Sequence, residues 1–246
     1  MRRALTPAER LIVAADFKPS AGEGRESVRR QVLSLADDLY GTGVYLKVNS
    51  ALRAGGYGLI TEIQSRGLKV FADLKLYDIG ETLSTDGVLL IESKPDLLTT
   101  VCSAGVDAMQ KLKAELPDTE VLGVTFLTSL TDSDAEEMHG CETTEEAVMR
   151  FANLAKSAGI DGLISSAKEL AALRAEFGDL FTYNTPAIRP TWAIVPGDDQ
   201  NPERIMTPAK AIKAGADRVV VGRPISRAAN PYNAVMRTID EIASAM

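Results

Sequence analysis

The stretch "FADLKLYDIGET", residues 71 to 82, sets Asp73, Lys75 and Asp78 into an otherwise apolar, strand-like run. Side chains alternate along a strand, so Asp73 and Lys75 point to one face. Lys47, in "VYLKVN", can join them from a neighbouring strand and complete a row of alternating charge. A row of this kind is either an ion network that only maintains the fold or a reacting centre built from fixed ammonium and carboxylate groups. Burying several ions is costly unless each is well paired, so a row at the mouth of a fold favours the reacting centre.

The rest of the composition points away from other chemistries. The chain has a single histidine, His139, and it falls in the polar stretch "EEMHGCETTEE", which reads as a solvated loop. Lysine and carboxylate are therefore expected to do what imidazole does in most acid–base schemes. Cys102 and Cys141 make neither a disulfide framework nor a tetrahedral zinc set, which suits a reduced compartment. A net charge of -7 argues against nucleic acid as a partner, because binding along a phosphate backbone needs a clustered basic surface. No run approaches the ~18 apolar residues of a membrane span, and the first residues lack a secretion-type apolar segment, so a cytoplasmic protein is expected.

The elements that must position these charges follow from periodicity. Short β-branched runs, "LIVAADF", "VYLKVN", "KVFADLKL", "DLLTTVCS", "EVLGVTFLTS", "GLISS", "FTYNTP" and "RVVVGRPI", alternate with helical patterns. Val28, Val32, Leu35 and Leu39 share one helical face, as do Leu52, Leu59, Ile60 and Ile63. Thr143 with Glu146 and Ser166 with Glu169 have capping-box spacing, while Thr207-Pro208 and Asn230-Pro231 pair an N-cap with a first-turn proline. Gly159, Gly178 and Gly215 stand where helical patterns end. Apolar strands each followed by a helix imply a parallel sheet, and eight repeats predict a single closed (β/α)8 barrel over residues 1–246. The rival, an open doubly wound sheet, is weakened as a dinucleotide binder because "AADFKPSAG" follows the first strand in place of a Gly-x-Gly-x-x-Gly turn.

In a barrel the functional face lies at the strand C-termini, and polar residues recur there: Asp16, Lys47, Asp73, Lys75, Thr128, Ser165 and Arg223. Gly222-Arg223 reads either as an arginine capping the barrel end or as a phosphate site in which backbone N–H groups and a guanidinium fork grip the anion, and its place after the eighth strand favours the phosphate site. The stretch "TPAIRPTWAIVPGDDQNPERIM" gives about twenty residues without a clear period, and loops of that length are usually functional. Arg189 and Gln200 inside it are candidate ligand-gripping groups, and the loop is a candidate lid.

Taken in order, "VAADF", "YLKVN", "DLKLYDIGET", "GVTFLTSL", "AGIDGLISSAKELAALR", "TPAIRP", "DDQ", "RIMTPAKAIKAGADRVVVGRPI" and "ANPYNAV" resemble the orotidine 5'-phosphate decarboxylase family over almost the whole chain. The resemblance implies that Asp16 and Lys47 hold the ribose hydroxyls and that Lys47 pairs with Asp73. It implies that Asp73 lies beside the substrate carboxylate and that Lys75 delivers a proton to pyrimidine C6. Asp78 would enter the neighbouring subunit's site with Ile79 and Thr82, which implies a homodimer. Thr128 and Pro186 would contact the base, and Arg189, Gln200, Gly222 and Arg223 the phosphate of orotidine 5'-phosphate or UMP. Neither a metal nor an organic cofactor is implied.

Four residues depart from the family's usual pattern: Tyr77, Gly80, Glu81, and Ala187 where glycine is common. The magnesium-dependent 3-keto-L-gulonate 6-phosphate decarboxylase and hexulose-phosphate synthase relatives share the Asp-x-Lys-x-x-Asp array. They carry a carboxylate metal ligand where this chain has Lys47. A barrel that binds a nucleotide without catalysis is a third reading, and it gives no reason for both Asp73 and Lys75.

Overall fold

The computed structural model describes residues 3–194 and 206–246. Eight strands, each hydrogen-bonded in parallel to the next, close on themselves in chain order. They are β1 (Leu11–Ala14), β2 (Tyr45–Val48), β3 (Lys69–Leu76), β4 (Leu97–Val101), β5 (Glu120–Val124), β6 (Gly162–Ile164), β7 (Thr182–Thr185) and β8 (Arg218–Val221). This is the single (β/α)8 barrel that the alternating pattern predicts.

The helices are α1 (Gly24–Asp38), α2 (Ser50–Gly55), α3 (Gly58–Gln64), α4 (Gly80–Ile91), α5 (Val106–Glu115), α6 (Asp132–His139), α7 (Thr144–Ala158), α8 (Leu170–Phe177), α9 (Pro208–Lys213), α10 (Arg223–Ser226) and α11 (Pro231–Ala243). Val28, Val32, Leu35 and Leu39 are buried as their spacing requires. The face carrying Leu52, Leu59, Ile60 and Ile63 is also buried, but it is built from two short helices, α2 and α3, separated at Gly56 with φ +76°. Each such apolar side chain removed from water contributes roughly 1.5–3 kcal/mol.

Two shells of apolar packing result from the strand alternation. Outward-facing residues such as Leu11, Val13, Leu46 and Val70 pack under the helices, while Ile12, Tyr45, Phe71, Leu97, Leu122 and Val220 fill the barrel. Gly162 belongs to the crowded interior: a Cβ there would lie 2.1 Å from Thr182 Oγ1 and 2.7 Å from Leu122 Cδ2.

The caps at Thr143, Thr207 and Asn230 form, each side-chain oxygen accepting a backbone N–H in the first turn. Ser166 and Glu169 behave differently. Helix α8 starts only at Leu170, and the Glu169 carboxylate instead accepts the Ser166 N–H at 2.8 Å, tying down the turn before the helix. His139 is also not a solvated loop residue. It ends α6, with its ring set edge-on between Phe126 and Phe151. Helix α6 is announced by a reciprocal capping box, Thr131 with Asp134, and stopped by Gly140 at φ +64°.

The N-terminal end of the barrel is closed by charge. Arg218, 3% exposed, donates to both Glu120 oxygens at 2.9 and 2.8 Å and to Asn184 Oδ1 at 3.2 Å. A cavity of about 780 Å³ lies at this end. Its charges are already cross-paired, Lys113 with Asp161 and Arg174 with Asp217 among them, so it reads as a stabilising base.

Candidate active site

At the opposite end, the strand C-termini surround a cavity of about 340 Å³, within the ~300–1,000 Å³ typical of small-molecule sites. Asp16, Lys47, Asp73, Lys75, Thr128, Pro186, Arg189, Gly222 and Arg223 all line it, joined by apolar walls that include Phe71, Phe126 and Val220. The charged and apolar groups therefore share one compartment.

The charge row is real and continuous. Lys47 Nζ lies 3.1 Å from both Asp16 carboxylate oxygens and 3.0 Å from Asp73 Oδ2, and Lys75 Nζ lies 2.6 Å from Asp73 Oδ1. Asp73 is 6% exposed and Lys47 8%, whereas Asp16 is open to solvent. Burial alone would push the Asp73 carboxyl up, but the Lys47 and Lys75 ammoniums more than offset it and hold it below the usual aspartate range. Burial would likewise depress the Lys47 ammonium; Asp73 and Asp16 outweigh it and leave Lys47 above the ordinary lysine value. Both partners thus stay ionised, as a tight pair in a half-dry site requires.

Lys75 reaches this position through a break in the sheet. The β3–β4 pairing runs Phe71 to Leu97 and Ala72 to Leu98, then shifts register before Leu76 meets Thr100. Lys75 adopts φ +50° inside that break, a left-handed conformation costing a residue with a Cβ about 1–2 kcal/mol. Its N–H donates to Thr99 Oγ1 at 3.0 Å, and the same hydroxyl donates to Asp73 Oδ1 at 3.0 Å. Thr99 is fully buried. The sequence pattern did not single it out, since a lone threonine in "DLLTTV" carries no chemical signal.

The opposite wall comes from the β7 end. The Arg189 N–H donates to Met206 O at 3.0 Å, and Ile188 bridges Met206, so the two described ends of the long connection meet beside the pocket. Arg189 is 7% exposed and Arg223 is open to solvent. Ala187 adopts φ +61°, a left-handed conformation that glycine takes without strain. Gln200 lies outside the described residues.

Other expectations part company with the cavity. Ser165 does not line it; the side chain is buried and its hydroxyl has no partner among the described residues. Asp78, Ile79 and Thr82 are exposed at the start of α4 and do not line the pocket of their own chain, where Asp78 Oδ1 accepts the Ile79 N–H at 2.7 Å. At Gly80 the backbone runs close to α5: a Cβ there would lie 2.5 Å from Asp107 Oδ2 and 2.8 Å from Lys111 Cδ, so a larger residue requires those two side chains to move aside. The Cys102 thiol is pushed up to about 12 by burial and is no nucleophile. Among the described residues no three metal-ligating side chains converge, and no helix is long and apolar enough to cross a membrane.

A closed parallel barrel whose strand ends gather two lysines, two aspartates and flanking arginines around an apolar-walled pocket is an enzyme of the barrel class, suited to a small anionic substrate. The chain belongs to the orotidine 5'-phosphate decarboxylase / HUMPS family, whose model matches residues 9–238. It is 37% identical over 249 residues to the orotidine 5'-phosphate decarboxylase of Methylobacterium sp. (strain 4-46), covering 100% of both chains. With the enzyme of that name from Afipia carboxidovorans the identity is 38% over 245 residues and 97% of each chain. Among solved structures, orotidine 5'-phosphate decarboxylase from Lactobacillus acidophilus superposes with a TM-score of 0.78 at 29% identity, covering 95% of this chain and 99% of that one.

Proposed function

We propose that the chain is an orotidine 5'-phosphate decarboxylase, a carboxy-lyase converting orotidine 5'-phosphate to UMP and CO2 in pyrimidine biosynthesis. The observation that carries this reading is Asp73, a buried carboxylate held ionised between Lys47 and Lys75 on the wall of the pocket that Arg189 and Arg223 also line.

Breaking the C6–carboxylate bond releases CO2 and leaves an electron pair in the plane of the pyrimidine, where the ring's π system cannot delocalise it. Stabilisation must therefore come from fixed charge. The Lys75 ammonium supplies that charge and then the proton that forms the C6–H bond. Asp73 opposes the substrate carboxylate before it leaves, and contacts to the remote phosphate offset that repulsion. Arg189, Gly222 and Arg223, with Gln200 from the family resemblance, form the phosphate grip; Thr128 and Pro186 meet the base, and Asp16 and Lys47 the ribose hydroxyls. No metal or organic cofactor takes part. The magnesium-dependent relatives are disfavoured because the Lys47 ammonium stands between Asp16 and Asp73, where a cation would have to displace it.

The same reading makes the active form a homodimer in which Asp78 of one chain completes the other's site, accompanied by Ile79 and Thr82. It is supported by a run of exposed apolar residues on and before α4, namely Tyr77, Ile79, Val88, Leu89 and Ile91, which a second copy would cover.

The purified protein is expected to convert orotidine 5'-phosphate to UMP in EDTA. Absence of turnover there, with rescue by magnesium, would overturn the proposal. Lys75→Ala should lower turnover by at least ~10²-fold in a folded protein, and near-normal activity would remove Lys75 from the proton-donor role.

A further inference from the structure

We propose that Thr99 is the positioning residue of the reacting pair: its one hydroxyl fixes both the left-handed backbone of Lys75 and the carboxylate of Asp73. The inference rests on the decarboxylase reading above and deepens it.

The need for such a residue follows from the register break. Between the pairs Ala72–Leu98 and Leu76–Thr100, β3 has Asp73, Leu74 and Lys75 where β4 has only Thr99. The regular ladder pattern is interrupted across this stretch, and buried backbone groups need partners. Side chains supply them. Arg53 Nη2 donates to Leu74 O at 3.1 Å, Thr99 Oγ1 accepts the Lys75 N–H at 3.0 Å, and Thr100 Oγ1 donates to Leu76 O at 3.0 Å.

Of these three, only Thr99 also touches the charge row. A hydroxyl has one hydrogen to give. With the Lys75 N–H filling an acceptor site, that hydrogen is committed to Asp73 Oδ1 at 3.0 Å, which favours the ionised carboxylate. Lys75 Nζ meets the same oxygen at 2.6 Å, so the lysine is held at both ends, by its backbone through Thr99 and by its ammonium through Asp73. Thr99 is fully buried and does not line the cavity, so it acts through its neighbours and does not touch substrate.

The test compares Thr99→Val, which keeps the shape and removes the hydroxyl, with Thr99→Ser, which keeps the hydroxyl. Steady-state turnover of orotidine 5'-phosphate, UMP binding by calorimetry, the pH–rate profile and thermal melting are measured on the full chain. The valine variant is expected to lose about 10–100-fold in kcat, with KM and the UMP Kd changed less than about threefold. Its acid limb should move to higher pH, because Asp73 has lost a donor to its charged form. Serine should restore kcat to within about threefold of wild type. A folded valine variant with wild-type kcat would overturn the inference. So would a kcat loss that serine leaves unrepaired, or one with no movement of the acid limb. If the valine variant does not fold, Thr99→Ala carries the same comparison with serine. Wild-type protein without turnover would overturn the decarboxylase reading and this inference with it, whereas an active wild type beside an undiminished valine variant overturns this inference alone.

Discussion

Lys47→Met tests whether the charge row is one coupled unit. Lys47 and Asp73 have side chains only 10% and 9% exposed, and their charges are 3.0 Å apart. At an effective dielectric of about 20 that separation is worth roughly 5 kcal/mol of gross attraction, much of it offset by desolvation of the two ions. Removing one partner of a buried pair costs ~3–5 kcal/mol, and here Lys75 still faces Asp73, so ~2–4 kcal/mol is expected. For a chain of this length that corresponds to a fall in Tm of about 5–15 °C. Asp73→Asn should also destabilise, since it leaves Lys47 with only the exposed Asp16 and removes the carboxylate that Lys75 faces. The double variant has no buried charge left unpaired, so its cost should fall short of the sum of the singles by at least ~1.5 kcal/mol. Urea unfolding of the four proteins gives that coupling directly. The acid side adds a check: a depressed Asp73 contributes stability above its unfolded pKa and loses it as pH falls through the folded value, and in Lys47→Met that loss should begin at higher pH. Additivity within ~0.5 kcal/mol would refute the view of a single coupled row.

Two further outcomes are expected. Glu169 is pushed up to about 7 from an ordinary 4.5, chiefly by burial, with the Ser166 N–H and Lys168 opposing and Glu145 assisting. Its folded pKa lies above its unfolded one, so its contribution is full below about 4.5 and is lost as pH rises through about 7. Glu169→Gln should therefore gain ~1–3 kcal/mol at pH 8.5 and almost nothing near pH 4.5; equal melting shifts at both pH values would refute this. For the proposed composite site, mixing inactive Lys75→Ala and Asp78→Asn proteins and allowing subunits to exchange should restore about a quarter of the wild-type sites, read as turnover; no recovery in verified mixed dimers would place Asp78 outside a partner's site.

Most of the barrel was legible because its determinants are local. The β-branched runs, the buried stripe at Val28, Val32 and Leu35, and the caps at Thr143, Thr207 and Asn230 all act within a few residues of chain. Helix α6 was legible too, and missed: "TDSDAEEMHG" is too polar to show a stripe, but Thr131 with Asp134 and Gly140 mark its two ends. His139 was misjudged for the complementary reason. Its packing partners, Phe126 and Phe151, are separated from it by 13 and 12 positions in sequence, and nothing local announces them.

The site divides in the same way. Period-two alternation brought Asp73 and Lys75 to one face and Lys47 beside them, which the distances bear out. Yet alternation alone would have left Lys75 extended, with its N–H in the ladder. The actual backbone turns left-handed because β3 carries two more residues than β4 can pair between Ala72 and Leu76. That mismatch is a property of two strands together, so no reading of either one discloses it. It also explains why a residue as plain as Thr99 carries consequence. Where a ladder is broken to aim a lysine, the groups the ladder abandons must be bonded by side chains, and the one at the break inherits both the backbone and the carboxylate. Placement of Asp73 and Lys75 is thus written in β3, while their precision depends on β4.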